Sequence, residues 1–479
     1  MHAHLIGVCG TGMGSLAGLL KKAGYRVTGS DSAFYSPMGE ALERWGIEKR
    51  EGYDPAHLSP RPDLVVVGNV CRSSNPEARA AIDGGMTYTS FPQALHEHCL
   101  RGRRSFVIAG THGKTTTTTL VAHLLEVAGL APGFLIGGIP LGFDESFRFA
   151  QPGTPFVVEG DEYDSAFFEK TPKFWHYAPE VAILQAIEHD HADIYPTMES
   201  YRQAFRGFVE RIPEHGLLVA NAADAEVRAV AAYARCRVVY YALDGEDTAE
   251  ITPTWLAAPV AAQGALLPFD LFIGGSACGR LLTPLSGAHN LKNALAALAL
   301  CAEAAAVPMP VLTRALTRFA GVKRRQELRG IAAGVRVYDD FAHHPTAVLE
   351  TLRGLRNRHP EGKLFAVFEP RSATACRRIH QASYAQAFLP ADVTLLAPVG
   401  RPDIAQDERL DVHEVAAELR AHGRLAEAPP DVDAILTRVV AMAERGDTVV
   451  AMSNGAFAQI HDRLLCALTA RPESQTARA

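Results

Sequence analysis

Eight cysteines are spread over 479 residues, at 9, 71, 99, 236, 278, 301, 376 and 466, and none stands in C-x-x-C spacing with another. That scatter excludes a disulfide scaffold and a thiolate zinc site, and fits a reducing cytoplasm. No lysine or arginine run has the length that anionic membranes attract, and the formal charge of -6 supplies no field for a polyanion. Neither nucleic acid nor membrane is therefore an expected partner. Long uncharged apolar spans are missing, and Met1-His2-Ala3-His4 runs into a strand pattern without a basic leader or cleavage site, so no membrane targeting is expected. Internal repeats and low-complexity blocks are also missing, apart from alanine richness. What remains is an ordinary globular composition, 48% hydrophobic, with length for about two to four domains.

What is present is organised around Val107-Ile108-Ala109-Gly110-Thr111-His112-Gly113-Lys114-Thr115-Thr116. A buried-strand run ends in a glycine-flanked turn that opens into a helical pattern. Backbone N–H groups and a helix N-terminus then converge on one point, as a phosphate requires. Lys114 adds a point charge for the outer phosphates, and the Thr115 hydroxyl is placed for Mg²⁺. The loop is shorter than G-x-x-x-x-G-K-[ST], because Ile108 occupies the place of the first glycine. The competing reading is a plain glycine turn with a solvated lysine.

The N-terminal segment reads as strand His4–Cys9, glycine turn Gly10-Thr11-Gly12-Met13-Gly14, helix to Ala23, and a second strand from Tyr25 ending at Asp31. It approaches the dinucleotide fingerprint, but the third glycine of G-x-G-x-x-G would fall on Ser15. A diphosphate at a helix N-terminus is the expectation, with a structural turn as the alternative. Further on, the strand Phe156–Val158 runs into Glu159-Gly160-Asp161-Glu162-Tyr163-Asp164, where four carboxylates in six residues call for a cation such as Mg²⁺. A second strand, Val181–Ile187, ends in Glu188-His189-Asp190-His191-Ala192-Asp193. Ligands of parallel sheets gather outside the carboxyl ends of strands, so these two acidic termini and the glycine loop are expected in one crevice. His191 is either a ligand there or a surface histidine among acids.

Val260–Gly275 reads as an antiparallel hairpin. Leu285 to Asn293 opens an alanine-rich helix to about Ala306, with Asn290 and Asn293 on one face of its first turn. One asparagine suits a cap, leaving the other for a base or ribose. A break at Val307-Pro308-Met309-Pro310 and the basic turn Lys323-Arg324-Arg325 precede a further αβ segment. Its strands are Val335–Tyr338, ending in Asp339-Asp340-Phe341-Ala342-His343-His344-Pro345-Thr346; Lys363–Phe368, ending in Glu369-Pro370-Arg371-Ser372; Val393–Pro398; and Thr448–Met452. Such alternation indicates α/β architecture with mostly parallel sheets. Three domains are expected: Rossmann-like over 1–103, a P-loop domain over 104–320, and Rossmann-like over 321–479. The tail from about Ala470 is polar and expected to be disordered.

In order, Gly110 to Thr116, Glu159 with Asp161 and Glu162, Asp190-His191, His289-Asn290 with Asn293, Arg325, and Asp339-Asp340 before His343-His344-Pro345 resemble the Mur ligase family of bacterial cell-wall synthesis, over nearly the whole chain. The Gly10–Gly14 start and the Asp-Asp-x-x-His-His-Pro-Thr pattern resemble the branch acting on UDP-N-acetylmuramate. Tyr163 with Phe167-Phe168, Phe341-Ala342, and Glu369-Pro370-Arg371-Ser372 are more similar to the member that adds L-alanyl-γ-D-glutamyl-meso-diaminopimelate, in peptidoglycan recycling, than to the L-alanine-adding member.

The resemblance implies ATP-driven amide bond formation through an acyl phosphate. It implies ATP on Gly110, Thr111, His112, Gly113, Lys114, Thr115, Thr116, Asn290, Asn293, Arg325 and Asp340. It places one Mg²⁺ on Thr115 and Glu159 and a second on His191, and makes Lys114, Glu159 and His191 catalytic. The UDP-sugar, and not NAD, would lie on Gly10, Thr11, Gly12, Met13, Gly14 and Asp31. The tripeptide would meet His343, Arg371 and Ser372, with a surface salt bridge as the alternative for Arg371. The Asp-Asn-Pro-Arg sequence tied to diaminopimelate elsewhere in the family is absent. The rival functions are L-alanine ligation, a nucleotide-gated binding protein without ligase activity, and an NAD-dependent oxidoreductase that rests only on the start of the chain.

Overall fold

Strand Arg104–Ala109 is the axis of the molecule, and its residues Phe106 to Ala109 have no exposed surface. A parallel strand covered on both faces reads as an unbroken apolar run, which is why the sequence there shows no alternation. Ile108 packs in one buried cluster with Leu120, Leu124, Leu295 and Leu298, and Val107 and Ala109 pack in another with Val158, Phe205 and Phe208. A computed structural model describes residues 1–35, 38–191, 194–261, 264, 266–401 and 404–471. Asp193 and the polar tail from 472 lie outside the described residues; the last helix, Ile460–Thr469, ends just before that tail.

The first sheet holds β1 (His2–Ile6), β2 (Arg26–Asp31), β3 (Glu48–Glu51), β4 (Leu64–Val67) and β5 (Tyr88–Ser90), all parallel, in the order β3-β2-β1-β4-β5. The second holds β6 (Arg104–Ala109), β7 (Gly133–Leu135), β8 (Phe147–Arg148) and β9 (Pro155–Gly160). A small separate ribbon, β10 (Asp164–Ala166) with β11 (Glu169–Pro172), follows. The second sheet continues with β12 (Val181–Leu184), β13 (Leu217–Asn221), β14 (Arg237–Leu243), β15 (Trp255–Pro259), β16 (Leu267–Ile273) and β17 (Ser276–Thr283). Its order is β17-β16-β15-β14-β13-β12-β6-β9-β7-β8, so the chain reverses direction across the sheet at β6. The third sheet runs β18-β19-β23-β20-β21-β22, from β18 (Glu327–Ala332), β19 (Val335–Asp340), β20 (Leu364–Phe368), β21 (Val393–Leu396), β22 (Leu425–Glu427) and β23 (Thr448–Met452). Only β18 is antiparallel in it.

Several elements differ from the sequence reading, among them β1, the hairpin and β18. β1 stops at Ile6 because Gly7 takes φ +83, and the Gly7 and Val8 N–H groups donate to Ser30 O at 2.8 and 3.0 Å. The turn is therefore Gly7 to Gly10, and Thr11–Gly14 form the first turn of the helix Thr11–Lys22. Antiparallel pairing does occur near residue 270, but the hairpin is β16 with β17, turning at Gly274-Gly275, both at positive φ. Of the expected hairpin segment, Val260, Ala261, Gly264 and Leu266 lie outside strands, and 262, 263 and 265 lie outside the described residues. β18, missed in the sequence, is half-exposed and charged, so it lacks the apolar pattern of its neighbours.

The first sheet is seated on the second through the helix Thr11–Lys22. Gly18 faces Phe147 of β8, Ser15 Oγ lies 3.0 Å from Ser146 Oγ, and Trp45 Nε1 donates to Glu145 Oε1 at 2.9 Å. A Cβ on Gly18 would come within 2.1 Å of Phe147 Cζ. Gly18→Ala sets a helix-propensity gain of about 1 kcal/mol against overpacking of about 1–3 kcal/mol. We expect net destabilisation, read as a lower urea midpoint; a rise in the midpoint would show that the seam yields freely.

Candidate active site

Register brings three strand ends together. Ala109 of β6 pairs with Leu184 of β12 on one side and with Gly160 of β9 on the other. The glycine loop, the acidic segment after β9 and the Gln185–His191 segment therefore leave the sheet side by side. Gly110 takes φ +133 and Gly113 φ +80, and a Cβ on Gly113 would sit 2.4 Å from Asn293 Oδ1. The loop is pinned by Thr111, whose N–H donates to Ala186 O at 2.8 Å and whose hydroxyl donates to Glu188 O at 3.0 Å. The helix Lys114–Val127 then starts with five threonines, poor helix formers that are all buried. One bond inside the helix and one from outside it hold them: Thr119 Oγ1 donates to Thr115 O at 2.7 Å, and Gln185 Nε2 donates to Thr117 Oγ1 at 2.8 Å.

Glu162 stands at the centre of the crevice with 0% exposure. Lys114 Nζ donates to its two carboxylate oxygens at 2.9 and 3.2 Å, and also to Gly110 O at 2.7 Å. His191 Nε2 lies 3.0 Å from Glu162 Oε1, and Tyr201 OH donates to the same oxygen at 3.2 Å. Burial alone would raise the Glu162 carboxyl, but Lys114 and His191 outweigh it and hold it below the usual carboxylate range. Burial would likewise lower Lys114 and His191, yet the neighbouring carboxylates, Glu162 foremost, keep both above their ordinary values. All three shifts thus favour the charged forms. His191 itself sits at φ +54, a left-handed conformation that aims its ring at Glu162.

Beside this triad, Thr115 Oγ1 donates to Glu159 Oε2 at 3.2 Å, and Gly137 N donates to Glu159 Oε1 at 2.6 Å. Burial pushes the Glu159 carboxyl up, against Gly137 N–H, Arg325 and Lys114. Arg325, from the third sheet's side, donates from Nη2 to Thr115 Oγ1 at 3.3 Å. Asp340, at the end of β19, accepts from Gln326 N and Ala342 N, both at 2.7 Å. Burial raises its carboxyl and lowers the Arg325 guanidinium, each opposed by the charge of the other. Asn290 and Arg325 both line a cavity of about 660 Å³ with Leu141, Phe319 and Tyr338.

Family models match nearly the whole length of the chain: the Mur ligase family catalytic domain over residues 2–103, the Mur ligase middle domain over 108–301, and the Mur ligase glutamate ligase domain over 324–455. This chain belongs to the Mur ligase family. Among its relatives is the UDP-N-acetylmuramate–L-alanyl-γ-D-glutamyl-meso-2,6-diaminoheptandioate ligase of Escherichia coli K12, 38% identical over 99% of this chain and 100% of that one. A UDP-N-acetylmuramate–L-alanine ligase of Kineococcus radiotolerans is 39% identical, over 83% of this chain and 81% of its own. The crystal structure of a murein peptide ligase from Psychrobacter arcticus superposes with a TM-score of 0.71 at 37% identity, covering 98% of this chain and 99% of that one.

Mur ligases are ATP-dependent amide ligases, and this chain is one of them. No helix among its described residues is long and apolar enough to cross a membrane. Several expected residues are placed differently from the sequence reading. His191, expected on a second Mg²⁺ apart from Thr115 and Glu159, lies against Glu162, which that reading gave no role of its own. Neither asparagine caps its helix: Asn290 Nδ2 donates to Ser286 O, Asn293 Nδ2 donates to Asn290 Oδ1, and Gln185 Nε2 donates to Asn293 Oδ1. Asp31 is 8% exposed and accepts from Cys9 N, Ser32 N and Tyr53 OH, so its carboxylate braces the Gly7–Gly10 turn. Ser372 Oγ accepts from Ala375 N and closes its own turn. Arg371 is half-exposed, its Nη1 3.5 Å from Glu369 Oε1, with its stem laid over Gly400 and Gly455. His343 holds Phe341 O at 3.1 Å through Nδ1.

Replacing Glu162 by Gln keeps the shape but removes the charge that Lys114 and His191 face. Phosphate release is expected to slow by about 10²–10³, the cost of losing one electrostatic anchor of a charged transition state. Glu162→Ala should in addition lower stability by about 3–5 kcal/mol, because it strands a buried cation. A Gln variant with a near-normal rate would remove Glu162 from the catalytic machinery.

Proposed function

We propose that this Mur ligase joins L-alanyl-γ-D-glutamyl-meso-diaminopimelate to UDP-N-acetylmuramate, with ATP cleaved to ADP and phosphate. The observation that carries this reading is end-to-end relatedness to a ligase of that name, 38% identical over 99% of this chain and 100% of the relative. Residues 1–103 would hold the UDP-sugar at the Gly7–Gly10 turn and the N-terminus of the helix Thr11–Lys22. Residues 104–320 would hold ATP at the loop Gly110–Lys114, and residues 321–479 would close over it with Arg325 and Asp340 and bring the peptide to His343 and Arg371.

A carboxylate and an ammonium do not condense at neutral pH, so the sugar's lactyl carboxylate must be activated. Its oxygen attacks the γ-phosphorus of ATP and ADP leaves; the peptide's amine nitrogen then attacks the acyl carbon, and phosphate and a proton depart. Both steps crowd negative charge, so fixed cations and donors contribute more than acid–base work. Lys114, held charged against Glu162, and Arg325, reaching Thr115, supply that charge from opposite sides.

The oxygen donors of Thr115 and Glu159, 3.2 Å apart, with a carboxyl that burial has raised, suit Mg²⁺, as does the hard carboxylate of Glu162 beside His191. When bound there, Mg²⁺ would neutralise the phosphate oxygens. Closure across Arg325–Thr115 keeps water from the acyl phosphate.

With ATP, Mg²⁺ and UDP-N-acetylmuramate present, phosphate release should depend on the tripeptide and stay at background with L-alanine. Turnover with L-alanine alone would overturn the reading in favour of the L-alanine ligase, and amine-independent hydrolysis would favour a nucleotide-gated binding protein. In a second test, Lys114→Ala should abolish turnover while calorimetry still detects UDP-N-acetylmuramate binding.

A further inference from the structure

A second group of donor atoms lies where the third sheet's segment meets the glycine loop, and apart from His112 in that loop the proposed amide-forming chemistry gives its members no role. His112 comes from the loop and Glu188 from the segment after β12. His344 caps the helix Pro345–Arg358, and His380 ends the short turn Arg378–His380. Glu188 Oε2 lies 3.4 Å from His112 Nε2 and 3.5 Å from His344 Nδ1, and one donor atom from each of these three residues lies within 4.8 Å of both others. Those separations are long for N–H···O bonds, which run about 2.7–3.2 Å. They match the edge, about 3.3 Å, of a tetrahedron of nitrogen and oxygen donors held about 2.0–2.1 Å from a zinc ion.

Nε2 of His112, of His344 and of the neighbouring His380 is buried without a hydrogen-bond partner; His344, 7% exposed as a whole, turns Nδ1 toward Glu188, and that nitrogen also accepts from Thr346 N at 3.4 Å. The His344 ring stands 4.7 Å from the rings of both His112 and His380. Thr346 Oγ1 donates to Glu188 Oε2 at 2.6 Å, the kind of outer hydrogen bond that fixes a ligating carboxylate. Imidazole-rich donors suit zinc and its neighbours, whereas Mg²⁺ takes oxygen.

We propose that His112, Glu188 and His344, with His380 at the fourth position, bind one zinc-class divalent ion that staples the C-terminal segment onto the glycine loop. Two ligands come from each side, so the ion binds only the closed arrangement and shifts the population toward it. Such an ion slows turnover by holding products in.

The test uses the full chain, stripped of metal, titrated with Co²⁺ in excess Mg²⁺ so that the oxygen sites are occupied. We expect an intense visible band of four-coordinate Co²⁺, saturating near one equivalent and displaced by Zn²⁺. Affinity should fall at least about tenfold in His344→Ala and Glu188→Gln and persist in His191→Ala. His380→Ala, at a surface turn, serves as a second variant and should also weaken the band. Melting curves and UDP-N-acetylmuramate binding check that each variant is folded. A weak six-coordinate spectrum, a band untouched in the folded His344, Glu188 and His380 variants, or a band lost only in His191→Ala would overturn the proposal.

Discussion

A carboxylate without exposed surface, Glu162, is the constraint around which the active crevice is built. A buried carboxylate is tolerated only when paired and hydrogen-bonded. Glu162 satisfies this with an ammonium from the glycine loop, an imidazole from the segment after β12 and a tyrosine hydroxyl from the helix Met198–Val209. Lys114 follows β6, His191 and Tyr201 follow β12, and Glu162 itself follows β9, so the one buried charge fixes three strand ends relative to one another. The same electrostatics favours the cationic forms of Lys114 and His191 against their burial. Removing the carboxylate would therefore cost loop order as well as charge.

The contacts between the three sheets are of two physical kinds. The first sheet meets the second through a close apolar contact, Gly18 against Phe147, flanked by hydrogen bonds from Ser15 and Trp45. Separating that seam would expose apolar surface to water, at about 25 cal/mol per Å². The third sheet meets the crevice through polar links, Arg325 to Thr115 and Thr346 to Glu188. Water can replace such links, so each is worth only about 0.5–1.5 kcal/mol net. This asymmetry fits the proposed ligase cycle, in which the first two sheets would stay in fixed register while the third opens and closes.

Much of this was legible in the chain. Buried parallel strands announce themselves as unbroken apolar runs, so β6, β20 and β23 stand where Val107, Lys363–Phe368 and Thr448–Met452 suggest. The crevice could be inferred because strand ends in a parallel sheet point one way, with Glu159 among the last residues of β9 and Asp190 and Lys114 beyond the ends of β12 and β6. Half-exposed edge strands such as Glu327–Ala332 carry no such signal. The N-terminal glycines were read as a turn because spacing alone cannot separate a glycine that bends the chain, such as Gly7, from one that lets a neighbour approach, such as Gly14 beneath Met38.

Partner choice was the part that stayed hidden. Among four carboxylates in Glu159-Gly160-Asp161-Glu162-Tyr163-Asp164, the sequence shows acidity but not direction. The fold sends Glu159 to Thr115, Asp161 to Lys173 and Glu162 to Lys114 and His191. It also puts His112, Glu188 and His344 side by side, although His344 lies 156 residues beyond Glu188 in the chain. Local sequence determined the strand, loop and helix around Lys114, because apolar runs, glycine conformations and helix starts act over a few residues. Only the tertiary structure decided which charge answers which, because that depends on the register of β6, β9 and β12 and on how the third sheet is docked.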